Sequence, residues 1–416
     1  MTVKEEVQMK ITDVKTISLN YPLEKAVYDS NYIMATKPVL LVEVHTDEGV
    51  VGIGEAAHFG GPLISTRVVI EEELKHHVLG EDPLQVERLW ERMHLRSYKH
   101  ARGGIVIAAM SGIDIALWDI KGKVAGLPVY KLLGGYCNVI PAYGCGGFYV
   151  EGEGARELGK VMAGYIKRGF KAVKMKVGRS SSLRGGFNLL RATEGKGICE
   201  VTLEEDVERV RVVRESIGQD ALLMVDANGA WNVPTAIRMG RLFEPYDLYW
   251  LEEPVFPDDV QGSARVAAAI NIPIAGYETC SYGRFSFKEY ITAGAIHFVQ
   301  PDIAWNGGLT EGMKIAHLAS AWNLPVSPHI HGSAVAVAAA CHFLAAIPNG
   351  ILAEIVYPTH PLMGDLVDNV LEVSKDGNVV LSDKPGLGIE LNPKVLEKYR
   401  DVTGLSRSEI VEKSKR

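Results

Sequence analysis

Six polar residues recur along the second half of the chain at nearly one interval: Asp226, Glu252, Glu278, Asp302, His329 and Glu354 are spaced by 26, 26, 24, 27 and 25 residues. Each closes or closely follows a short apolar run. A strand, a loop, a helix and a return loop together take about that many residues, so the interval is one βα unit and its repetition is a (β/α) barrel. Eight runs fit the pattern: "VIPAYGC", "FKAVKMKV", "ALLMVDAN", "LYWLEEP", "IPIAGYE", "IHFVQPD", "PVSPHI" and "ILAEIVY". Their polar ends converge on one rim, the C-terminal edge where such barrels carry their chemistry.

The first part of the chain has another rhythm. "ITDVKTISLNYPL" and "PVLLVEVHTDEGVVGIGEA" read as strands, with an Asp-Glu-Gly turn inside the second stretch, and helical patterns follow from about 66 to 124. The expected organisation is an α+β capping unit over 1–135, the barrel over 136–363, and a segment over 364–416 that turns back onto the cap. A chain of 416 residues that is 47% hydrophobic buries a large core. Its net charge of -7 and lack of a basic cluster argue against a nucleic-acid partner.

The start, "MTVKEEVQMK", lacks the apolar run of a signal peptide, and "AVAVAAACHFLAAI", 334 to 347, is too short to span a bilayer. No membrane partner is expected, and that stretch reads as a buried helix. Five cysteines without metal-type or redox-type spacing fit free thiols in a cytoplasmic protein.

Three acids, Asp226, Glu252 and Glu278, end successive strands, so adjacent rim positions crowd carboxylates that repel unless a cation lies among them. An all-oxygen set of that size favours Mg²⁺. Next around the rim come Asp302 and His329, a carboxylate beside an imidazole, which makes a general base; His331 is a second candidate for that role. On the strand before the acids, Lys174 and Lys176 are two apart and share a face, with Val173, Met175 and Val177 on the other. That face turns inward to the carboxylates, and the expectation is that neighbouring positive charge depresses the lysine pKa values so that Lys176 serves as a base near neutral pH. Glu354 is expected to hydrogen-bond substrate oxygens if protonated. Two acid/base groups flanking a bound carboxylate suit removal of its α-proton, provided the resulting enediolate is stabilised.

At this point the sequence resembles the enolase superfamily, specifically its mandelate racemase subgroup. The resemblance is carried by "KMK" at 174–176, "DAN" at 226–228, "WLEEP" at 250–254, "YE" at 277–278, "QPD" at 300–302, "PHIH" at 328–331 and "AE" at 353–354. "SGIDIALWDIKGKVAGLPVYKLLGG", 111–135, is similar to the family's cap-to-barrel helix, and "KPGLGIE", 384–390, to its C-terminal return. It implies an α/β fold, a modified (β/α)7β barrel under an α+β cap, and a homo-oligomer.

The resemblance further implies Asp226, Glu252 and Glu278 as Mg²⁺ ligands with Asn228 nearby. It makes Lys176 one base, Lys174 its electrostatic partner, His329 with Asp302 the group opposite, and Glu354 an enediolate donor. The implied activity is dehydration of a small-molecule carboxylate, a sugar acid, to a 2-keto-3-deoxy acid; racemisation or epimerisation on the same site, or a catalytically silent homologue, are the alternatives. Specificity is expected from cap loops at about 21–36 and 56–62, where Tyr28, Asn31, Tyr32 and His58 either bond hydroxyls or pack within the cap. The Gly- and Ser-rich insertion 178–201 is either a lid or subunit contact, or a surface excursion.

Overall fold

The computed structural model describes residues 9–57, 61–179, 199–279, 282–356 and 359–406. The cap begins with three antiparallel strands, β1 (Ile11–Tyr28), β2 (Ile33–Thr46) and β3 (Val51–Ala56), in the order β1-β2-β3. Helix α1 (Val86–Ser97) packs against helix α2 (Ile105–Ala125), which covers the sheet. The approach of α2 to β3 needs residues without side chains: a Cβ at Gly52 would lie 2.0 Å from the Ala116 carbonyl oxygen, and one at Gly54 2.0 Å from that of Gly112. Where 21–36 was expected to form a loop, β1 and β2 run on as a long hairpin with only Asp29–Tyr32 at its tip. Alternating partly buried residues and continued pairing, Val27 with Met34 and Tyr28 with Ile33, keep the chain extended there.

A short helix α3 (Val129–Leu133) leads into the barrel. Its strands are β4 (Val139–Cys145), β5 (Ala172–Lys176), β6 (Leu222–Asp226), β7 (Leu248–Glu252), β8 (Ile274–Gly276), β9 (Phe298–Val299) and β10 (Ala353–Val356). They lie parallel in the order β10-β4-β5-β6-β7-β8-β9. Seven of the eight expected runs are therefore strands. The remaining one, "PVSPHI", closes the curl through single bridges from Val326 to Val299 and to Gly350. Pro325 and Pro328 flank that position, and a residue without an N–H cannot extend a ladder.

Helices pack outside the strands, and the all-buried α4 (Ala334–Ala346) is the Ala-rich helix expected from the sequence. Cap and barrel are joined through polar contacts inside the fold. The Glu55 carboxylate, at the end of β3, accepts from the backbone N–H of Ser333 at 3.0 Å and of Ala336 at 3.1 Å, so a cap residue closes the N-terminus of a barrel helix. Asp119 of α2 accepts from Ile53 N at 2.9 Å and Leu387 N at 2.8 Å. The last segment contributes β11 (Asn378–Val380), antiparallel to β4, and also contacts the cap, where Asn20 N donates to Tyr399 O at 2.8 Å. Among the described residues no helix is long and apolar enough to cross a membrane.

His342 of α4 ties three segments together. Its Nδ1 accepts from Tyr130 N at 3.2 Å and its Nε2 donates to Leu387 O at 3.2 Å, which requires the neutral ring. Burial lowers its pKa to about 4. The unfolded chain, with a histidine near 6.5, takes up the proton first. This contribution is complete above pH 6.5 and is lost as the pH falls toward 4, by about 3 kcal/mol. His342→Gln, which keeps one acceptor and one donor, should flatten the pH dependence of unfolding free energy between pH 6.5 and 4, measured by denaturant titration. An unchanged slope would contradict the assignment.

Candidate active site

Strand register builds the site. Lys176 is opposite Asp226 and Asp226 opposite Glu252, so an ammonium and two carboxylates stand in a row across β5, β6 and β7. Lys174 and Lys176 face inward, 0% and 5% exposed. Lys174 Nζ is 2.5 Å from Glu252 Oε1 and 3.0 Å from Glu354 Oε1, and Lys176 Nζ donates to Asp226 Oδ2. Burial alone would pull both lysines down, but Glu252 and Glu354 hold Lys174, and Asp226 holds Lys176, well above the ordinary lysine value. The expected depression is thus reversed: contact with carboxylates outweighs burial and mutual repulsion.

Glu354 is corrected in the same way. Burial would favour its acid form, yet Lys174 and His329 lower it to about 2, so it is an ionised acceptor and not a protonated donor. Its Oε2 accepts from Ile330 N at 3.0 Å.

Glu278 follows β8 and is the least compensated acid. Its Oε2 is buried without a hydrogen-bond partner among the described residues. Burial, then repulsion from Glu253, Glu252 and Asp226, drives its pKa well up. Glu253, just past β7, is raised to about 7 by burial and by Asp226. Among the described residues no three potential ligands already converge as a metal cluster; the charges of Asp226 and Glu252 are met by the lysines. The donor set still suits a hard cation: all its atoms are oxygens, and the unpartnered Glu278 oxygen beside repelling acids is the kind of group a divalent ion satisfies.

His329 Nδ1 is 2.8 Å from Asp302 Oδ2, and its Nε2 is 4.0 Å from Glu278 Oε1. Burial opposes its charge, but Glu278, Glu354 and Asp302 raise it to about 9. Lys176, Asn228, Glu278, His329 and His331 line one pocket of about 210 Å³ with Tyr32 and Trp305. Asn228 and Glu253, each just beyond a strand end, adopt φ of 44° and 40°, the sparsely populated left-handed region where functional residues gather.

The cap residues divide. Tyr32 reaches the pocket. Asn31 instead pins the hairpin tip to the barrel, Nδ2 donating to Asn228 O at 2.7 Å, while Asp29 Oδ1 accepts from the N–H of Asn31 and of Tyr32, both at 2.7 Å. Tyr28 is buried with its ring 4.7 Å from the Arg179 guanidinium carbon. His331 is held neutral by burial and by nearby Lys37, whose Nζ donates to its Nε2 at 2.9 Å. His58 and most of the 178–201 insertion lie outside the described residues. The sequence reading missed Lys37, Phe148, Glu253, Thr279 and Trp305. Glu253 was visible as the second acid of "WLEEP"; Lys37 belongs to a cap strand whose pattern says nothing of what it faces.

A capped, curled βα sheet with acids, two lysines and an Asp–His pair at its strand ends defines the class, and the chain belongs to the mandelate racemase subgroup of the enolase superfamily. Residues 8–134 match the family described as mandelate racemase / muconate lactonizing enzyme, N-terminal domain, and residues 157–395 match the enolase C-terminal domain-like family. The chain is 35% identical over 400 residues to an arabinonate dehydratase of Saccharolobus solfataricus, covering 94% of this chain and 99% of that one. It is 34% identical over 402 residues to a D-galactarolactone cycloisomerase of Agrobacterium fabrum, with 94% and 99% covered. The crystal structure of a racemase from Streptomyces coelicolor A3(2) with bound magnesium superposes with a TM-score of 0.81 at 32% identity, covering 94% of this chain and 100% of that one.

Because Asp302 supports the protonated ring, Asp302→Asn should lower the His329 pKa by about 1 to 3 units in the metal-free protein. Imidazole proton shifts followed by NMR across the titration read this directly; an unmoved midpoint would show that the pair does not tune the histidine.

Proposed function

We propose that this chain is a Mg²⁺-dependent sugar-acid dehydratase, taking an aldonate or aldarate to a 2-keto-3-deoxy acid. The observation that carries the reading is the presence of Lys176 and the Asp302-oriented His329 in one small pocket with Asn228 and Glu278. The arabinonate dehydratase relative supports the substrate class and the magnesium-bound racemase structure the metal. Mg²⁺ held by Asp226, Glu252 and Glu278 would neutralise the acids that keep Lys176 protonated and would stabilise negative charge on the substrate carboxylate.

The remaining work belongs to the chain. Lys176 and His329 face the α-carbon from the pocket wall; one takes the α-proton in its neutral form, and the other, in its charged form, protonates the departing β-hydroxyl. Asp302 fixes the ring with Nε2 toward the pocket. Lys174, locked between Glu252 and Glu354, keeps positive charge beside the substrate carboxylate. Trp305, Tyr32 and the hairpin tip line the pocket around the reacting carbon.

A second reading is racemisation or epimerisation on the same site, in which the same proton abstraction is followed by return of a proton to the α-carbon; the magnesium-bound racemase structure supports it. A panel of mono- and diacid sugars with Mg²⁺, assayed with semicarbazide for 2-keto acid and by NMR for solvent deuterium at the α-carbon, separates the two. Dehydration is expected, and Lys176→Ala and His329→Asn should each reduce turnover at least about 100-fold. Deuterium wash-in without any 2-keto acid would favour the isomerase reading; full turnover in both variants would sink both.

A further inference from the structure

Beside the reacting pocket lies a larger cavity of about 480 Å³, walled by Leu23, Val27, Leu158 and Val161 from the hairpin and the barrel helices. Phe148 lines both spaces. Its ring centroid is 5.5 Å from Lys176 Nζ and 5.9 Å from Lys37 Nζ, so the catalytic ammonium and a second one are separated by no more than the sum of those distances.

Three cations border this cavity, and two have carboxylates. Lys25 pairs with Glu153 at 3.2 Å, and Arg209 is 3.6 Å from Asp206 while also lying over Tyr149. Lys37 has no carboxylate in contact among the described residues: its near partners are His331 Nε2 at 2.9 Å and Met34 Sδ at 3.9 Å, and Asp29 acts on it only from farther away. His360, also on the wall, is held neutral by burial, which lowers it to about 3. Lys37 is half-buried, and an ammonium partly withdrawn from water without an anion in contact is unfavourable; burial accordingly brings it down to about 8. His331 orients it: an imidazole that accepts from Lys37 fixes the ammonium at the boundary between the two spaces, with its remaining donors free to turn toward a ligand.

We propose that Lys37 determines specificity by receiving a second anionic group, a carboxylate or a phosphate, at the far end of the substrate from the reacting carboxylate. This deepens the dehydratase reading and rests on it. The substrate extends along Phe148, its first carboxylate beside Lys174 and Lys176 and its distal anion on Lys37. Among sugar acids of equal chain length, those ending in a carboxylate or phosphate are then favoured over those ending in a hydroxyl.

The test compares kcat/KM for an aldonate, its terminally phosphorylated form and the corresponding aldarate, in wild type, Lys37→Met and Lys37→Arg. The ratio of dianionic to monoanionic kcat/KM should fall at least about tenfold in Lys37→Met, mostly through KM, and should recover in Lys37→Arg. Whichever dianion shows the larger fall identifies the group. An unchanged ratio, or an equal loss on all three acids, overturns the proposal. Calorimetric titration of the same aldarate keeps the two readings apart: if no acid is dehydrated, aldarate binding lost in Lys37→Met and regained in Lys37→Arg still supports the anion site, whereas equal binding in wild type and variants removes it.

Discussion

The structure depends on placing two ammonium groups inside a barrel and surrounding them with acids. Taking several charges out of water is unfavourable by several kcal/mol per ion unless each finds an opposite charge in good geometry. Here strand register meets that condition. Lys176 reaches Asp226 because their strands pair in parallel with the two residues opposite, and Lys174 bridges Glu252 and Glu354 from neighbouring strands. Removing one member strands another, so the cluster is all-or-nothing in a way that an apolar core is not. The excess of acids over bases leaves Glu278 and Glu253 mutually repelling, and that imbalance is what makes the rim a place for a cation.

The cap completes this arrangement from outside the barrel. Asn31 and Asp29 hold the hairpin tip against the ends of β5 and β6, through Asn228 O and the Arg179 guanidinium. Glu55 holds the other side by capping α4. Both anchors sit beside residues of the pocket, so substrate access and the fit between cap and barrel are one problem. Hydrogen bonds to backbone secure the hairpin tip, and the hairpin presents Tyr32 and Met34 to the pocket and Lys37 to the adjoining cavity.

Much of this was legible in the chain. The intervals between Asp226, Glu252, Glu278, Asp302, His329 and Glu354 are set by the length of a βα unit, and that length varies little because strand and helix must span the same barrel height. The inward face of "KMK" follows from the two-residue period of a strand. What was misread had a common origin. The lysine charge states were inferred from like-charge crowding and the Glu354 role was conditional on its protonation, but the contacts that decide both run between residues as far apart as Lys174 and Glu354. The seventh run kept its place in the barrel while losing its strand, since flanking prolines act on the ladder without changing the order of units.

Sequence by itself determined the architecture, the row of acids and the partnership of Asp302 with His329, because these rest on local periodicity and a fixed repeat. Tertiary structure decided which charges are paired, which stay unsatisfied, and that Lys37 of the cap meets His331 of the barrel across 294 residues. The reason is physical: a side chain's protonation and partners depend on distances and dielectric within a few ångströms, and those are set only when segments remote in the chain are packed together.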